Sequence, residues 1–343
     1  MKVLLIMLGG LGGDYAYLED LYNNPPSGVS YALCLPEEFA KTSPGILKEK
    51  IEKCDLIHLH SWFPPCDNLY SLRFFKNLKT PLLCSFTTTI WDCHKFYWKI
   101  MPYLKMAKCF LYSRVLKPKG FIAWSQKAKS RAIKQFKYDP GKIHVLPPFI
   151  KPQPDNAKTD SQKIMIGFVG EDFERKGGPL LLEAFKTLAK KYADIHLKII
   201  SSHKIENSEN IESYGRKTRH ELFSSFYPDC DIFVLPTKAD FFGMSILEAM
   251  SFGIPVITSD VYAMNEIIDD GKDGFLIPPN NLSALLEKMS ALIKNKDFRE
   301  VMGREAKNKI LQKFNPEIIG ESLKQIYKAC LECNGAEKIC NLC

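Results

Sequence analysis

The sequence predicts an α/β fold made of two doubly wound domains, each with a parallel sheet covered by helices on both faces. Short apolar runs alternate with helical patterns along most of the chain, as in buried parallel sheets. The length of 343 residues suits about two domains of roughly 150 residues each. Residues 151–162, KPQPDNAKTDSQ, are polar and carry two prolines, which predicts a linker between the domains.

The apolar runs predict the order of the strands. They are residues 3–8, 29–35, 56–60, 81–86, 121–124 and 143–146 before the linker, and 164–169, 195–200, 232–235, 256–258 and 275–277 after it. Behind Gly178, apolar residues recur at helical core spacing, which predicts a helix. We therefore assign one domain to residues 1–150 and the other to residues 163–315.

The C-terminal end divides into a helix and a cysteine-rich tail. Residues 316–329 carry an apolar stripe on one helical side and are predicted to dock on the N-terminal domain. Residues 330–343 hold Cys330, Cys333, Cys340 and Cys343, in two Cys-x2-Cys pairs. Two such pairs are a zinc-binding pattern, although the six-residue spacer is short. A reduced tail without metal is the alternative.

The composition is that of an intracellular globular protein. Hydrophobic residues make up 45% and charged residues 25%, and no apolar run is long enough to span a membrane. The apolar run after Met1-Lys2 faintly resembles a secretory signal, but a glycine cluster follows it and no small-residue cleavage site is present, so we expect a buried strand. The eleven cysteines form no framework pattern through residue 230, which favours reduced cytoplasmic thiols.

Positive charge is concentrated in the first half of the chain. Residues 1–150 hold 21 basic and 11 acidic residues, and residues 95–142 hold 13 basic residues with Asp139 as their one acid. The aromatic residues interleaved with these cations suit an interfacial helix on anionic lipid, at the inner face of a membrane. Aromatics that face the domain core with lysines in water are an equally good interpretation. No nucleic-acid motif is present, so we expect no nucleic acid as partner.

A strand, a loop and a helix at residues 233–250 form the strongest local signal. The strand ends at Pro236, the loop carries Asp240, and Phe242-Gly243 opens a helix with Glu248 one turn inside. Ligands of open α/β sheets bind outside the carboxyl ends of the strands, and a helix start favours an electronegative ligand. The two carboxylates can accept hydrogen bonds from a polyhydroxylated ligand. The alternative is a helix-capping acid and a solvated glutamate.

A second candidate site follows the first strand of the C-terminal half. Residues 167–178 read as a strand, a loop that ends in Arg175 and Lys176, and a helix start. A guanidinium can bind two phosphate oxygens and an ammonium acts as a point charge, so the pair suits a diphosphate. A basic surface loop is the alternative.

Glycines at positions 9, 10, 12 and 13 follow the first strand of the chain. Backbone N–H groups at Gly12 and Gly13 would be able to approach a phosphate. A dinucleotide fingerprint does not fit, because its glycine spacing differs and the nearest acids, Glu37 and Glu38, come late. A tight turn between a strand and a helix is the remaining alternative.

Residues 233–250 resemble the acid–seven–acid motif of retaining GT-B glycosyltransferases of the family-four type, the glycosyl transferases group 1. The segments 253–259, 266–268 and 271–277 match that family in order and spacing. The resemblance is specific over residues 164–315 and weaker over the first 150. It implies a GT-B fold, in which two Rossmann-like domains, one on the acceptor side and one binding the donor, face each other across a cleft.

The resemblance also implies roles for site residues. Glu248 would hold the ribose hydroxyls of a nucleotide, and Asp240, where the family usually has glutamate, would contact the donor sugar. The peptide groups of Phe242, Gly243 and Met244 would approach the sugar and the diphosphate. Across the cleft, the loop containing Gly12 and Gly13 would face the donor phosphates.

The chain departs from the family pattern at two places besides Asp240. Glu171 stands where the family commonly has arginine, so Arg175 is predicted to take over that role beside Lys176, which matches the family lysine. Thr87 replaces a histidine that often lies close to the donor sugar. At the end of the strand over residues 55–61, His60 is a candidate cleft residue, and His58 is predicted to be core.

The activity implied is transfer of a hexose from a nucleotide-sugar donor to a hydroxyl acceptor, with retention and without a metal or cofactor. Glycan, glycolipid or cell-surface polysaccharide synthesis would be the setting. Two alternatives share the fold: a catalytically inactive nucleotide-sugar-binding partner, which would fit the departures at Asp240 and Glu171, and a sugar-nucleotide epimerase. A phosphorylase should be much longer and carry a cofactor lysine.

Overall fold

The computed structural model describes residues 1–7, 12–34, 44–61, 79–86, 118–154, 163–240 and 242–332. The chain divides into two compact units. One unit comprises Met1–Phe149 together with Pro316–Cys343, and the other comprises Ile150–Asn315. They are called the N-terminal and the C-terminal unit below.

The N-terminal unit is built on a six-stranded parallel sheet. Its strands are β1 (Lys2–Met7), β2 (Ser30–Cys34), β3 (Leu56–Ser61), β4 (Leu82–Phe86), β5 (Gly120–Ala123) and β6 (Ile143–Val145). Their spatial order is β2-β1-β3-β4-β5-β6. Helices α1 (Gly12–Asn23), α2 (Pro44–Glu52) and α3 (Gln126–Phe136) lie between strands, with a 3-10 turn at Pro140–Lys142. Residues 3–6 of β1 and 56–60 of β3 are fully buried, which explains the apolar character of these runs.

The C-terminal unit repeats this plan. Its strands are β7 (Ile164–Val169), β8 (Ile195–Ile200), β9 (Ile211–Tyr214), β10 (Ile232–Leu235), β11 (Val256–Ser259) and β12 (Gly274–Ile277), in the order β12-β11-β10-β7-β8-β9. Helix α4 spans Gly178–Ala189, and α5 joins the contiguous turns Arg219–Glu221, Leu222–Phe226 and Tyr227–Asp229. The later helices are α6 (Met244–Ser251), α7 (Met264–Ile267), α8 (Leu282–Lys294) and α9 (Lys296–Lys313).

The last helix, α10 (Pro316–Glu332), packs within the N-terminal unit. Its Tyr327 hydroxyl lies 2.7 Å from His58 Nδ1 on β3. Cys330 is fully buried on the same side, and a Cβ at Gly120 would lie 3.4 Å from its Sγ. The other three cysteines of the tail lie outside the described residues.

The structure confirms the parallel α/β architecture and adds one strand. Eleven strands coincide with the predicted runs to within two residues at each end. The additional strand, β9, has the sequence IESY and lies at an edge of the sheet. Only Ile211 is buried there, so its sequence carries no apolar run to predict it. Within the described ranges, no helix is both long enough and apolar enough to cross a membrane.

Candidate functional site

The predicted site residues of the C-terminal unit lie at the carboxyl edge of its sheet. Strands β7 and β10 are direct neighbours, with Ile166 aligned to Ile232. The loops that follow them, residues 170–177 and 236–243, therefore leave the sheet side by side. This edge is the place where parallel α/β sheets bind ligands.

Hydrogen bonds join these two loops. The carbonyl oxygen of Arg175 accepts from the backbone N–H of Lys238 at 2.8 Å and from the Thr237 hydroxyl at 3.2 Å. Thr237 Oγ1 also lies 2.9 Å from the Ala239 carbonyl oxygen. The two hydrogen bonds to the Arg175 carbonyl oxygen thus hold the loops next to each other.

Gly177 permits this close approach. It adopts φ 81° as the N-cap of α4, a conformation that favours glycine. A Cβ at this position would lie 2.0 Å from the carbonyl oxygen of Pro236, well inside van der Waals contact. Only glycine therefore fits at position 177, where the first loop approaches the Pro236 carbonyl oxygen of the second loop.

Lys176 and Asp240 form an ion pair across the two loops. Their side chains are 16% and 10% exposed, so the pair is largely removed from water. The sequence predicts both residues as ligand contacts but gives no sign that they touch each other. A paired ammonium can bind a phosphate oxygen while a carboxylate remains beside it to accept a hydrogen bond from a hydroxyl.

Arg175 is engaged with the protein. Its Nε lies 3.1 Å from Asp172 Oδ2, and its Nη1 donates to the Ala239 carbonyl oxygen at 2.6 Å. The side chain is 10% exposed. The guanidinium therefore ties the two loops together.

Glu248 lies buried on α6, held by two residues of α5. The Tyr227 hydroxyl donates to Glu248 Oε2 at 2.7 Å, and Arg219 Nε lies 3.4 Å from Oε1. Burial, followed by the nearby Glu248 charge, raises the pKa of Tyr227 well above its usual value, so the phenol keeps its proton and donates. The carboxylate is thereby fixed in one orientation as a hydrogen-bond acceptor.

Arg219 and Tyr227 are site residues that sequence reasoning missed. One signal was available, because Thr218 and Glu221 form a capping box. That pattern marks a helix start and would have placed Arg219 in its first turn. No sequence feature indicates that α5 packs against Glu248. The hydrogen bond from Tyr227 to Glu248 joins residues that are 21 positions apart in the chain.

The start of α6 supplies backbone N–H groups beside Asp240. Its N-cap, Gly243, has φ 72°, and a Cβ there would lie 2.9 Å from Ile246 Cδ1. The first N–H groups of a helix lack intrahelical partners and favour an anion. Phe242 and Gly243 are buried, and Met244 is half-buried.

The N-terminal unit contains the other predicted site residues, Gly12, Gly13, His60 and Thr87. Gly12 and Gly13 are the first residues of α1. His60 is fully buried, with Nδ1 2.7 Å from Ser85 Oγ and its ring stacked on Trp124 at 5.4 Å between centroids. Thr87 and residues 95–117 of the basic stretch lie outside the described residues.

Together, the carboxyl edge of the C-terminal unit offers one ammonium, two carboxylates and a helix start. Such a set can hold an anionic group next to several hydroxyl groups. In the part of the chain that the structure describes, no three His, Cys, Asp or Glu side chains are grouped as a metal site.

Two family models of glycosyltransferases match this chain. Residues 150–309 match the family model described as glycosyl transferases group 1, and residues 19–153 match glycosyltransferase family 4. The capsular polysaccharide biosynthesis glycosyltransferase CapM of Staphylococcus aureus is 30% identical over 200 residues, 54% of this chain and 53% of that protein. The phosphatidyl-myo-inositol mannosyltransferase of Mycobacterium leprae is 24% identical over 302 residues, 80% and 73% of the two chains. The chain spans about half the length of the first curated relatives it matches.

Solved structures share the fold over nearly the whole chain. Sucrose-phosphate synthase from Thermosynechococcus elongatus superposes with a TM-score of 0.77 at 16% identity, covering 96% of this chain and 98% of that one. Anabaena HepE in complex with UDP-glucose superposes with a TM-score of 0.74 at 15% identity, covering 96% and 100%. These neighbours have the GT-B fold, as the two parallel six-stranded sheets lead one to expect. The chain is therefore a member of the group 1 glycosyltransferase family with the GT-B fold.

Proposed function

We propose that this protein is a retaining glycosyltransferase that moves a hexosyl group from a nucleotide-sugar donor to a hydroxyl acceptor. The observation that carries the proposal is the Lys176–Asp240 pair, which lies beside the helix that bears the buried Glu248. An ammonium next to oriented carboxylates suits a ligand with both phosphate and hydroxyl groups. The family match and the HepE complex with UDP-glucose support the same donor class.

Each part of the donor has a matching group at this edge. Glu248, fixed by Tyr227, would accept hydrogen bonds from the ribose hydroxyls. Lys176 would bind the diphosphate, together with peptide N–H groups at Gly243 and Met244. Asp240 would accept a hydroxyl of the sugar. Arg175 would act as a positioning residue, because its contacts hold the two loops together.

The transfer needs few groups from the protein. The bond between the anomeric carbon and the β-phosphate oxygen breaks, and a bond from the acceptor oxygen to the same face of that carbon forms. The acceptor proton passes to the departing phosphate oxygen, so no separate base is required. Lys176 would stabilise the negative charge that develops on the diphosphate, an effect that usually contributes most to such catalysis. The step uses the nucleotide sugar as co-substrate and no further cofactor.

The acceptor is proposed to be a growing glycan, a glycolipid or a cell-surface polysaccharide. CapM is named for capsular polysaccharide biosynthesis and the mycobacterial relative for a mannosyl phospholipid. These names support a carbohydrate or lipid-linked hydroxyl rather than a small soluble acceptor.

We further propose that the protein works at an anionic membrane surface on the cytoplasmic side. Within the predicted basic stretch, α3 has the sequence QKAKSRAIKQF, which contains four cations and no acid. A helix with this excess of positive charge is attracted to anionic lipid. Flotation with phosphatidylglycerol-containing vesicles tests this, with pure phosphatidylcholine vesicles as control. Failure to float with the anionic vesicles contradicts the membrane proposal.

Product formation tests the enzymatic proposal. The full chain is incubated with isotopically labelled UDP-, GDP- and ADP-sugars and a glycolipid acceptor extract, and products are identified by mass spectrometry. We expect a labelled product that Lys176→Ala reduces by about 100-fold or more, because removing one charge-stabilising group typically has that effect. Lys238→Ala, in the neighbouring loop, is the control and should keep parental activity. Donor binding without any product would favour the inactive-partner alternative.

A further inference from the structure

A strained tyrosine lies in the turn that follows β11. Tyr262 has φ 48°, a left-handed conformation that is a true outlier for a bulky residue. Two other non-glycine residues of the described chain have positive φ, and each has a local reason. Lys137 closes α3 with a backbone bond to Ile133, and Asn280 is a residue type that tolerates this conformation. Strain of this kind tends to occur at ligand-binding sites.

The same turn begins with a buried polar atom. Ser259 is fully buried, and its Oγ has no hydrogen-bond partner among the described residues. A buried hydroxyl without a partner is unfavourable and calls for a specific explanation. Two independent unfavourable features thus occur within four residues, at both ends of one turn.

The register of the sheet brings this turn next to the proposed donor site. Leu235 of β10 is aligned with Thr258 of β11, so Ser259 leaves the sheet at the level where the Asp240 loop begins. Neighbouring strands are about 4.8 Å apart. A Cβ at Gly243 would lie 3.2 Å from Met264 Sδ, so the segment after the turn touches the start of α6. The half-buried Tyr262 lies between these two points of contact along the chain.

We propose that the turn over residues 259–263 contacts the transferred sugar of the donor, and that Tyr262 is a specificity-determining residue. The inference rests on the proposed function. In the strand order β11-β10-β7, the Asp240 loop lies between the Lys176 loop and this turn, so a sugar bound at Asp240 would lie next to the turn. A phenol can both donate and accept hydrogen bonds, and its ring packs on the apolar face of a sugar. The Ser259 hydroxyl would gain a partner in the same complex.

Glycine substitution separates the side chain of Tyr262 from its backbone. Tyr262→Gly keeps the left-handed turn and removes the phenol, so folding should be retained with an equal or higher Tm. Lys137→Gly, at another position with positive φ, is the matched control. Isothermal titration of the full chain is performed with the pairs UDP and UDP-glucose, GDP and GDP-mannose, and ADP and ADP-glucose. We expect Tyr262→Gly to weaken the binding of the nucleotide sugar by about tenfold and the binding of the nucleoside diphosphate by less than about twofold. The control should change neither.

Each outcome bears on the inference. Parental affinity of Tyr262→Gly for the nucleotide sugar overturns the inference, and so does an equal loss for the sugar and the diphosphate, because that would mark a general structural role. Absence of binding by the parental protein to all six nucleotides overturns the proposed function itself. Ser259→Ala should weaken only the binding of the nucleotide sugar, by about fivefold, with no loss of Tm. Unchanged affinity removes Ser259 from the contact.

Discussion

Lys176 and Asp240 are 64 residues apart in the chain, yet their side chains pair across two loops that leave adjacent strands. The ion pair joins the two segments that the sequence predicts for different parts of a ligand. Its partners are mostly buried, so the pair is screened less by salt than a surface pair. The protein's own contacts therefore hold together the donor site proposed for the C-terminal unit.

A double-mutant cycle measures this coupling. We expect Lys176→Met and Asp240→Asn each to lower the free energy of unfolding, because each leaves a largely buried charge without its partner. The double variant should lose less than the sum, with a coupling energy of about 0.5–3 kcal/mol in urea unfolding followed by circular dichroism. The exposed pair of Lys238 and Glu174, at 3.9 Å, is the control and should show less than about 0.5 kcal/mol. Equal coupling in both cycles would contradict the structural role of the buried pair.

Tyr227→Phe tests the orientation of Glu248. The variant keeps the packing of the ring and removes the hydroxyl that donates a hydrogen bond to Glu248 Oε2. We expect KM for the nucleotide sugar to rise by about 10- to 150-fold, since one hydrogen bond to a charged group is worth about 1.5–3 kcal/mol, while kcat changes little. Tyr192→Phe, which removes a phenol bound to Ser290 at 2.8 Å, is the control. A fall in kcat with unchanged KM would argue against a ribose-binding role.

Gly177→Ala tests the close approach of the two loops. The new Cβ would meet the Pro236 carbonyl oxygen, and the φ of 81° disfavours any side chain. We expect a loss of more than about 2 kcal/mol in the free energy of unfolding. Gly215→Ala serves as the control, because no atom lies within 4 Å of a Cβ built there. Equal stability of the two variants would contradict the described loop geometry.

The pH dependence of stability tests the core of the N-terminal unit. Burial, followed by the effect of His60, lowers the pKa of His58 to about 3. The unfolded chain binds a proton near pH 6.5, whereas the folded chain does not, so His58 makes stability fall as pH drops from 6.5 toward 3. The expected loss is up to about 1.4 kcal/mol per pH unit.

This prediction can be measured by tryptophan fluorescence, because all four tryptophans belong to residues 1–150. Urea unfolding at pH 7.0, 6.0 and 5.0 gives the slope, and most carboxylates remain ionised in this range. His58→Gln should flatten the dependence. His144→Gln is a second comparison, since burial also lowers the pKa of His144. An unchanged slope in the His58 variant would show that His58 titrates normally.

Sequence reasoning predicted the fold well because buried parallel strands are continuous apolar runs. Strand β9 escaped because an edge strand with one buried residue has no such run. Asp240 and Glu248 were singled out because they belong to one strand–loop–helix segment that resembles a family motif. The partners Tyr227 and Arg219 were not, since their contacts depend on how α5 packs against α6.

The role of Arg175 shows a second limit. Its position next to Lys176 suggested two cations for one ligand, and the sequence contains no sign that Asp172 and the Ala239 carbonyl oxygen occupy the guanidinium. Adjacent residues in a loop point in directions that only the backbone determines. Tyr262 is similar, because nothing in the residue type predicts a left-handed backbone there.

The most direct test of the donor site is calorimetric titration of the full chain with UDP, GDP and ADP and with the matching monophosphates. The comparison uses the parental protein, Lys176→Ala and the control Lys238→Ala. We expect the parental protein to bind at least one diphosphate, Lys176→Ala to weaken that binding by about 10- to 100-fold, and the control to stay within about twofold. Parental affinity in Lys176→Ala, or no binding of any diphosphate to the parental protein, would contradict a diphosphate site at Lys176.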